Sequence, residues 1–184
     1  TSASPNINTG SVSGSAGNIG GIVGNFSLTG TGANTTTATS NVNSGTVTGS
    51  GSAAVGGLYG GLDGATSGSQ SVTFSGGSNS GTITGGSGAT GGAIGYIRTN
   101  KNNTVTIDAS TAPVTNSGAV VCSANHCGGF IGLASASASG GTITIDQAHT
   151  TNTASVTTSG NNTGGFVGYI TGSGTGTITI KKSY

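Results

Sequence analysis

The sequence predicts an all-β chain: a parallel β-solenoid (β-helix) of about five three-stranded coils, about 36 residues per coil, forming one domain over 1–184. Three observations predict it. The first is a Gly-Gly motif followed by two mostly apolar residues and a third glycine. It starts at Gly20, Gly56, Gly91, Gly128 and Gly164, at intervals of 36, 35, 37 and 36 residues. The second is an alternating threonine segment, "TVTID" from Thr104, "TITID" from Thr142 and "TITIK" from Thr177, with looser copies from Ser71 and Thr35. The third is an Asn-led segment, such as "NSGTV" from Asn43 and "NSGTI" from Asn79. Three landmarks kept in register at this period mark a solenoid, a propeller or an array. A propeller blade needs about four antiparallel strands, usually with hairpin signals, and three segments per unit favour the solenoid.

The threonine segment fixes its own geometry, because side chains on a strand alternate between two faces. Val105 and Ile107, Ile143 and Ile145, and Ile178 and Ile180 face the core, and the threonines between them face water. The Asn-led segment brings one core residue per coil: Val12, Val47, Ile83, Val120 and Val156. Strands this short are stable only when stacked. Stacking places Asn8, Asn43, Asn79, Asn116 and Asn152 in one column. Two readings of that column stand side by side: an amide ladder between coils, or turn-forming Asn with positive φ. The Gly-Gly segment is apolar on both parities, with Ile22, Leu58, Ala93, Phe130 and Phe166 in one row and Val23, Tyr59, Ile94, Ile131 and Val167 in the next. Either a bulge turns both rows inward, or one row lies outside and calls for a partner.

Composition narrows the function classes. Of 184 residues, 39 are glycine and 4% are charged, and the period argues against the disorder that such composition otherwise suggests. A net charge of +1 implies neither nucleic acid nor an anionic membrane as partner, and no apolar run has the length of a membrane span.

The phrases "NSGTVTGSGSAAVGGLYGG" and "NSGAVVCSANHCGGFIG" resemble the GLUG-type repeats of large microbial surface proteins. The resemblance implies an extracellular, secreted or cell-surface protein, often adhesive, and carries no catalytic residues.

Catalytic, cofactor and metal sites are not expected. The acids are Asp63, Asp108 and Asp146. Asp108 and Asp146 follow the same segment in adjacent coils, but Lys181 continues that column, which reads as a solvated charge ladder rather than a carboxylate pair for hydrolysis. His126 and His149 sit in no catalytic motif. Cys122 and Cys127 lack the second pair of a zinc site and read as a local disulfide, which suits an oxidising compartment. The glycine runs lack the Lys-Ser/Thr ending of a phosphate-binding loop.

The expected function is structural: a non-enzymatic subunit of a fibre or adhesive surface layer. The chain opens on an Asn-led segment and closes after a threonine segment, so the end of one copy and the start of another together complete a coil. Asn8, Val12, Ile178 and Ile180 would form that joint, and the partner is a second copy, head to tail, with lateral contacts through the Gly-Gly face as a further option. The alternative is ice binding, through a Thr-x-Thr array of Thr104, Thr106, Thr142, Thr144, Thr177 and Thr179. Carbohydrate binding is a third possibility, with few exposed aromatics to support it.

Overall fold

A computed structural model describes residues 4–29, 32–51, 53–64, 69–108, 112–123, 125–137, 140–146 and 151–181. It is a parallel β-solenoid, and every strand pairing joins a coil to the coil before or after it. The valine sheet contains Val12–Gly14, Val47–Gly49, Ile83–Gly85, Val120–Cys122 and Val156–Thr158, so four turns separate its first rung from its fifth. His149, Lys182 and Tyr184 lie outside the described residues.

Three sequence segments become four sheets, because the Gly-Gly segment folds into two strands around a bend. A short sheet precedes the bend: Asn18–Gly20, Ala54–Gly56, Thr90–Gly91, Cys127–Gly128 and Thr163–Gly164. An aromatic-bearing sheet follows it: Val23–Ser27, Tyr59–Asp63, Ile94–Thr99, Ile131–Ala136 and Val167–Gly172. The long sheet carries the threonine segment and the leading Asn of the next segment, whose valine falls in the valine sheet. In Ala33–Asn43 and Ser69–Asn79 they form one strand, kinked by left-handed φ values of 55° at Ser40 and 70° at Gly76.

Both apolar rows of the Gly-Gly segment point inward. Leu58 and Tyr59 donate their N–H groups to one carbonyl, Ala93 O, at 2.9 and 3.0 Å. Ala93 and Ile94 share Phe130 O, and Phe130 and Ile131 share Phe166 O, in the same way. This bulge-like sharing rotates two successive side chains to one side. Leu58, Tyr59, Ala93, Ile94, Phe130 and Ile131 therefore all join the main core, with Val72, Phe74, Val105, Ile107, Ile143 and Ile145 of the long sheet. Among the described residues, neither of these two rows forms an outward apolar face.

The glycines permit the close stacking that the bend requires. A Cβ on Gly92 would lie 2.2 Å from Gly129 O and 2.1 Å from the Asn116 amide nitrogen of the next coil. The equivalent Gly165, in the last coil, has nothing within 4 Å of that position. Gly92→Ala is expected to cost about 3 kcal/mol, the upper end for overpacking. Gly165→Ala should change stability by less than about 0.5 kcal/mol. Denaturant unfolding of the two variants checks this pair; equal losses would mean that coil-to-coil contact does not set the need for glycine.

Candidate functional site

No group of three His, Cys, Asp or Glu side chains gathers among the described residues. The fold offers three ordered features: an amide ladder, a hydroxyl array and exposed apolar side chains in the first and last coils.

The ladder is built by the column Asn8, Asn43, Asn79, Asn116 and Asn152, which the pairing holds in register. Each Nδ2 donates to the Oδ1 of the next coil, at 2.7 Å from Asn8, 2.7 Å from Asn43, 2.7 Å from Asn79 and 2.9 Å from Asn116. The same amide also donates to the carbonyl two residues on, as Asn43 does to Gly45 and Asn79 to Gly81, both at 2.9 Å. The ladder and the turn are thus made by one side chain. Positive φ is not involved: among non-glycine residues it occurs at Ser40, Lys101 and Asn162, none of them in the column. Asn116 and Asn152 reach further, to Gly129 O at 2.8 Å and Gly165 O at 2.7 Å, and so tie the column to the Gly-Gly bend of their own coil. Asn43, Asn79 and Asn116 are fully or almost fully buried, so these bonds are not exchanged for water.

The hydroxyl array lies on the outer face of the long sheet. One column reads Thr35, Ser71, Thr104, Thr142 and Thr177, and the next reads Thr37, Thr73, Thr106, Thr144 and Thr179. All ten are partly or fully exposed. Beside the array runs a third column in backbone register, Thr39 with Ser75 and Asp108 with Asp146 and Lys181. Cys122 and Cys127 are joined by a disulfide, Cα to Cα 6.2 Å, and both are buried. The bond closes the corner between the valine sheet and the short sheet.

In the first and last coils, apolar side chains among the described residues are exposed or only partly covered. Ile170 is 45% exposed and Ile180 38% at the C-terminal end, beside the partly buried Phe166, Val167 and Ile178. At the other end Ile7 is 63% exposed, and Ile22, Val23 and Phe26 are only partly covered. Of these end residues, sequence reasoning named Ile178 and Ile180 and missed Ile170, which the alternation of "GFVGYITG" would have found once the bulge was known. Val12 packs against the smaller valine-sheet core, partly buried.

Compared with known proteins, the chain matches no family model, no curated protein and no solved structure.

The ladder makes a stability prediction. Asn79→Ala removes the acceptor of Asn43 and the donor to Asn116, leaving two buried amide groups short of a partner. The expected loss is about 1–3 kcal/mol for each such group. Asn8→Ala, at the more exposed end, should cost well under half as much. Chemical denaturation of the two variants side by side measures the difference.

Proposed function

We propose that this chain is a non-enzymatic structural protein of an extracellular fibre or adhesive surface layer, assembled head to tail from stacked solenoids. The observation that carries the reading is the polarity of the amide ladder. Every Asn donates toward the C-terminal end, so Asn152 there presents a donor and Asn8 at the opposite end presents an acceptor.

Continuing the stack with a second copy keeps every column in phase. Asn8 of that copy follows Asn152, and Val12 follows Val156. Val23 follows Val167, Phe26 follows Ile170, and Ala38 follows Ile180. Each of these extends a column of the existing pairing by one rung. The joint pairs two open strand edges and covers the exposed Ile170 and Ile180. With four Lys and Arg and three Asp in the chain, repulsion opposes it little, and salt should alter it only slightly. The GLUG-like phrases and the disulfide support an extracellular, secreted or cell-surface location.

Gly165→Ala tests the joint without disturbing the fold. Its Cβ meets nothing in the single chain, but at the joint it would stand where a Cβ added at Gly129 would stand, 2.1 Å from a backbone carbonyl. Wild-type protein at high concentration should form filaments in electron microscopy, and Gly165→Ala and Ile170→Lys should remain dispersed with unchanged melting. Wild-type protein that stays monomeric, or a Gly165→Ala variant that still polymerises, would sink the reading.

One observation favours a second function, ice binding. The two outer columns are nine threonines and one serine in ten positions, with rungs about 4.8 Å apart and columns about 6.8 Å apart. A rigid, repeating plane of hydroxyl and methyl groups can order water in a lattice. Thermal hysteresis of the dispersed Gly165→Ala protein tests it. A measurable gap that Thr106→Lys and Thr144→Lys abolish supports ice binding, and no gap removes it.

A further inference from the structure

A groove of about 480 Å³ runs along the side wall of the solenoid, from Asn18 in the first rung of the short sheet to His126 beside the fourth. It lies between two columns. One belongs to the short sheet: Asn18 and Ala54, extended by Ala89 and His126, whose carbonyls accept from Val55 and Thr90. The other is the outward row of the aromatic-bearing sheet: Asn25, Gly61, Tyr96, Leu133 and Tyr169. Alanine at positions 54 and 89 opens the space that Asn18 and His126 fill in the flanking coils. The volume is within the range of small-ligand sites.

The walls are polar and held in place. The Tyr96 ring leans across Gly61, where a Cβ would come within 2.6 Å of it. Its hydroxyl donates to the Asp63 carboxylate and accepts from Asn18 Nδ2 at 3.0 Å. Burial, with that bond to Asp63, pushes the Tyr96 hydroxyl up to about 12, so it remains a protonated donor at neutral pH. Opposite, the His126 ring stacks on Tyr169 at 4.7 Å, and its Nδ1 lies 3.3 Å from the Asn162 amide. The disulfide at Cys127 anchors the loop that presents His126. The floor is aliphatic, from Ala54, Ala89 and Leu133.

Arg98 stands at the mouth. It is exposed, and its guanidinium lies 4.7 Å from the centre of the Tyr96 ring. Asp63 is its neighbour in register, but the Tyr96 hydroxyl engages that carboxylate, and no ion pair to Arg98 is formed among the described residues. A guanidinium over an aromatic ring keeps N–H groups free to bind a planar anion.

We propose that this groove binds an acidic saccharide, with a uronic-acid carboxylate on Arg98 and a pyranose ring over Ala54, Ala89 and Leu133. A sugar ring has an apolar C–H face, which suits the aliphatic floor, and hydroxyl edges, which suit Asn18 and His126. A carboxylate takes two parallel hydrogen bonds from guanidinium. A phosphate-rich ligand fits less well, because Arg98 is the one cation lining the groove and Asp63 stands beside it. The site does not depend on assembly at the ends, and the two fail separately.

Calorimetry and saturation-transfer NMR on the disulfide-bonded chain, with short galacturonate and glucuronate oligomers, test it. The acidic oligomers should bind, more weakly as salt rises, and neutral galactose and glucose oligomers should bind at least about tenfold less tightly. Arg98→Gln should reduce affinity about tenfold or more, Arg98→Lys should retain part of it, and Ser87→Trp at the groove mouth should block it. Melting temperature reports that these exposed changes leave the fold intact. No binding of acidic oligomers at millimolar concentration overturns the proposal. So does equal binding of neutral oligomers, affinity unchanged in Arg98→Gln, or acetate binding as tightly as the oligomer.

Discussion

Each coil satisfies its backbone only through the coils above and below it. The strands of the short sheet are two or three residues long, and those of the valine sheet three, far too short to persist alone. Their N–H and C=O groups find partners because the same position of the neighbouring coil lies one strand spacing away. Every other feature of the molecule answers to that requirement. Residues that stack share a face of the solenoid, and the chain must return to the same point after each circuit.

The tightest demand falls at the Gly-Gly bend. There the backbone of one coil approaches both the next coil and the Asn side chain that crosses it, and no Cβ fits. The buried Asn amide is the counterpart of that glycine. It bonds along the stack, to its own turn and, in the later coils, to the bend, so it joins three directions in one side chain. The bulge that follows turns two apolar rows inward and gives a chain with only 4% aromatic residues enough bulk to fill its centre. Phe130 and Phe166 stack at 5.0 Å and Tyr59 meets Phe74 at 4.5 Å within that core.

Stacking also shapes the surfaces. A position that points outward in one coil points outward in all of them, so side chains collect into columns rather than scattered patches. The same rule makes the threonine face regular over five rungs and the side groove continuous between two columns. Where a column changes character, from Asn18 to Ala54 and Ala89 and then to His126, the surface acquires a notch with two different walls. The one-way hydrogen bonding of the ladder gives the stack a direction, so its first and last rungs are not alike.

Period, strand alternation and the membership of the Asn column are properties of the sequence by itself. They are legible because a solenoid repeats one local solution, so spacing alone shows which residues stack. Val105, Ile143 and Ile178 announce a core face, and Thr104, Thr142 and Thr177 an outer one, through nothing more than the two-residue period of a strand. The fate of Leu58 and Tyr59 was decided only in three dimensions. Alternation would have sent one of them outward, and the carbonyl of Ala93, which accepts from both, belongs to the next coil. The split of the Gly-Gly segment into two strands has the same origin. So does the groove: Tyr96 and Arg98 share one strand, His126 precedes the short strand of the next coil, and the bend brings their sheets side by side. A contact between columns depends on how the chain folds back within a coil, and the repeat period carries no information about that.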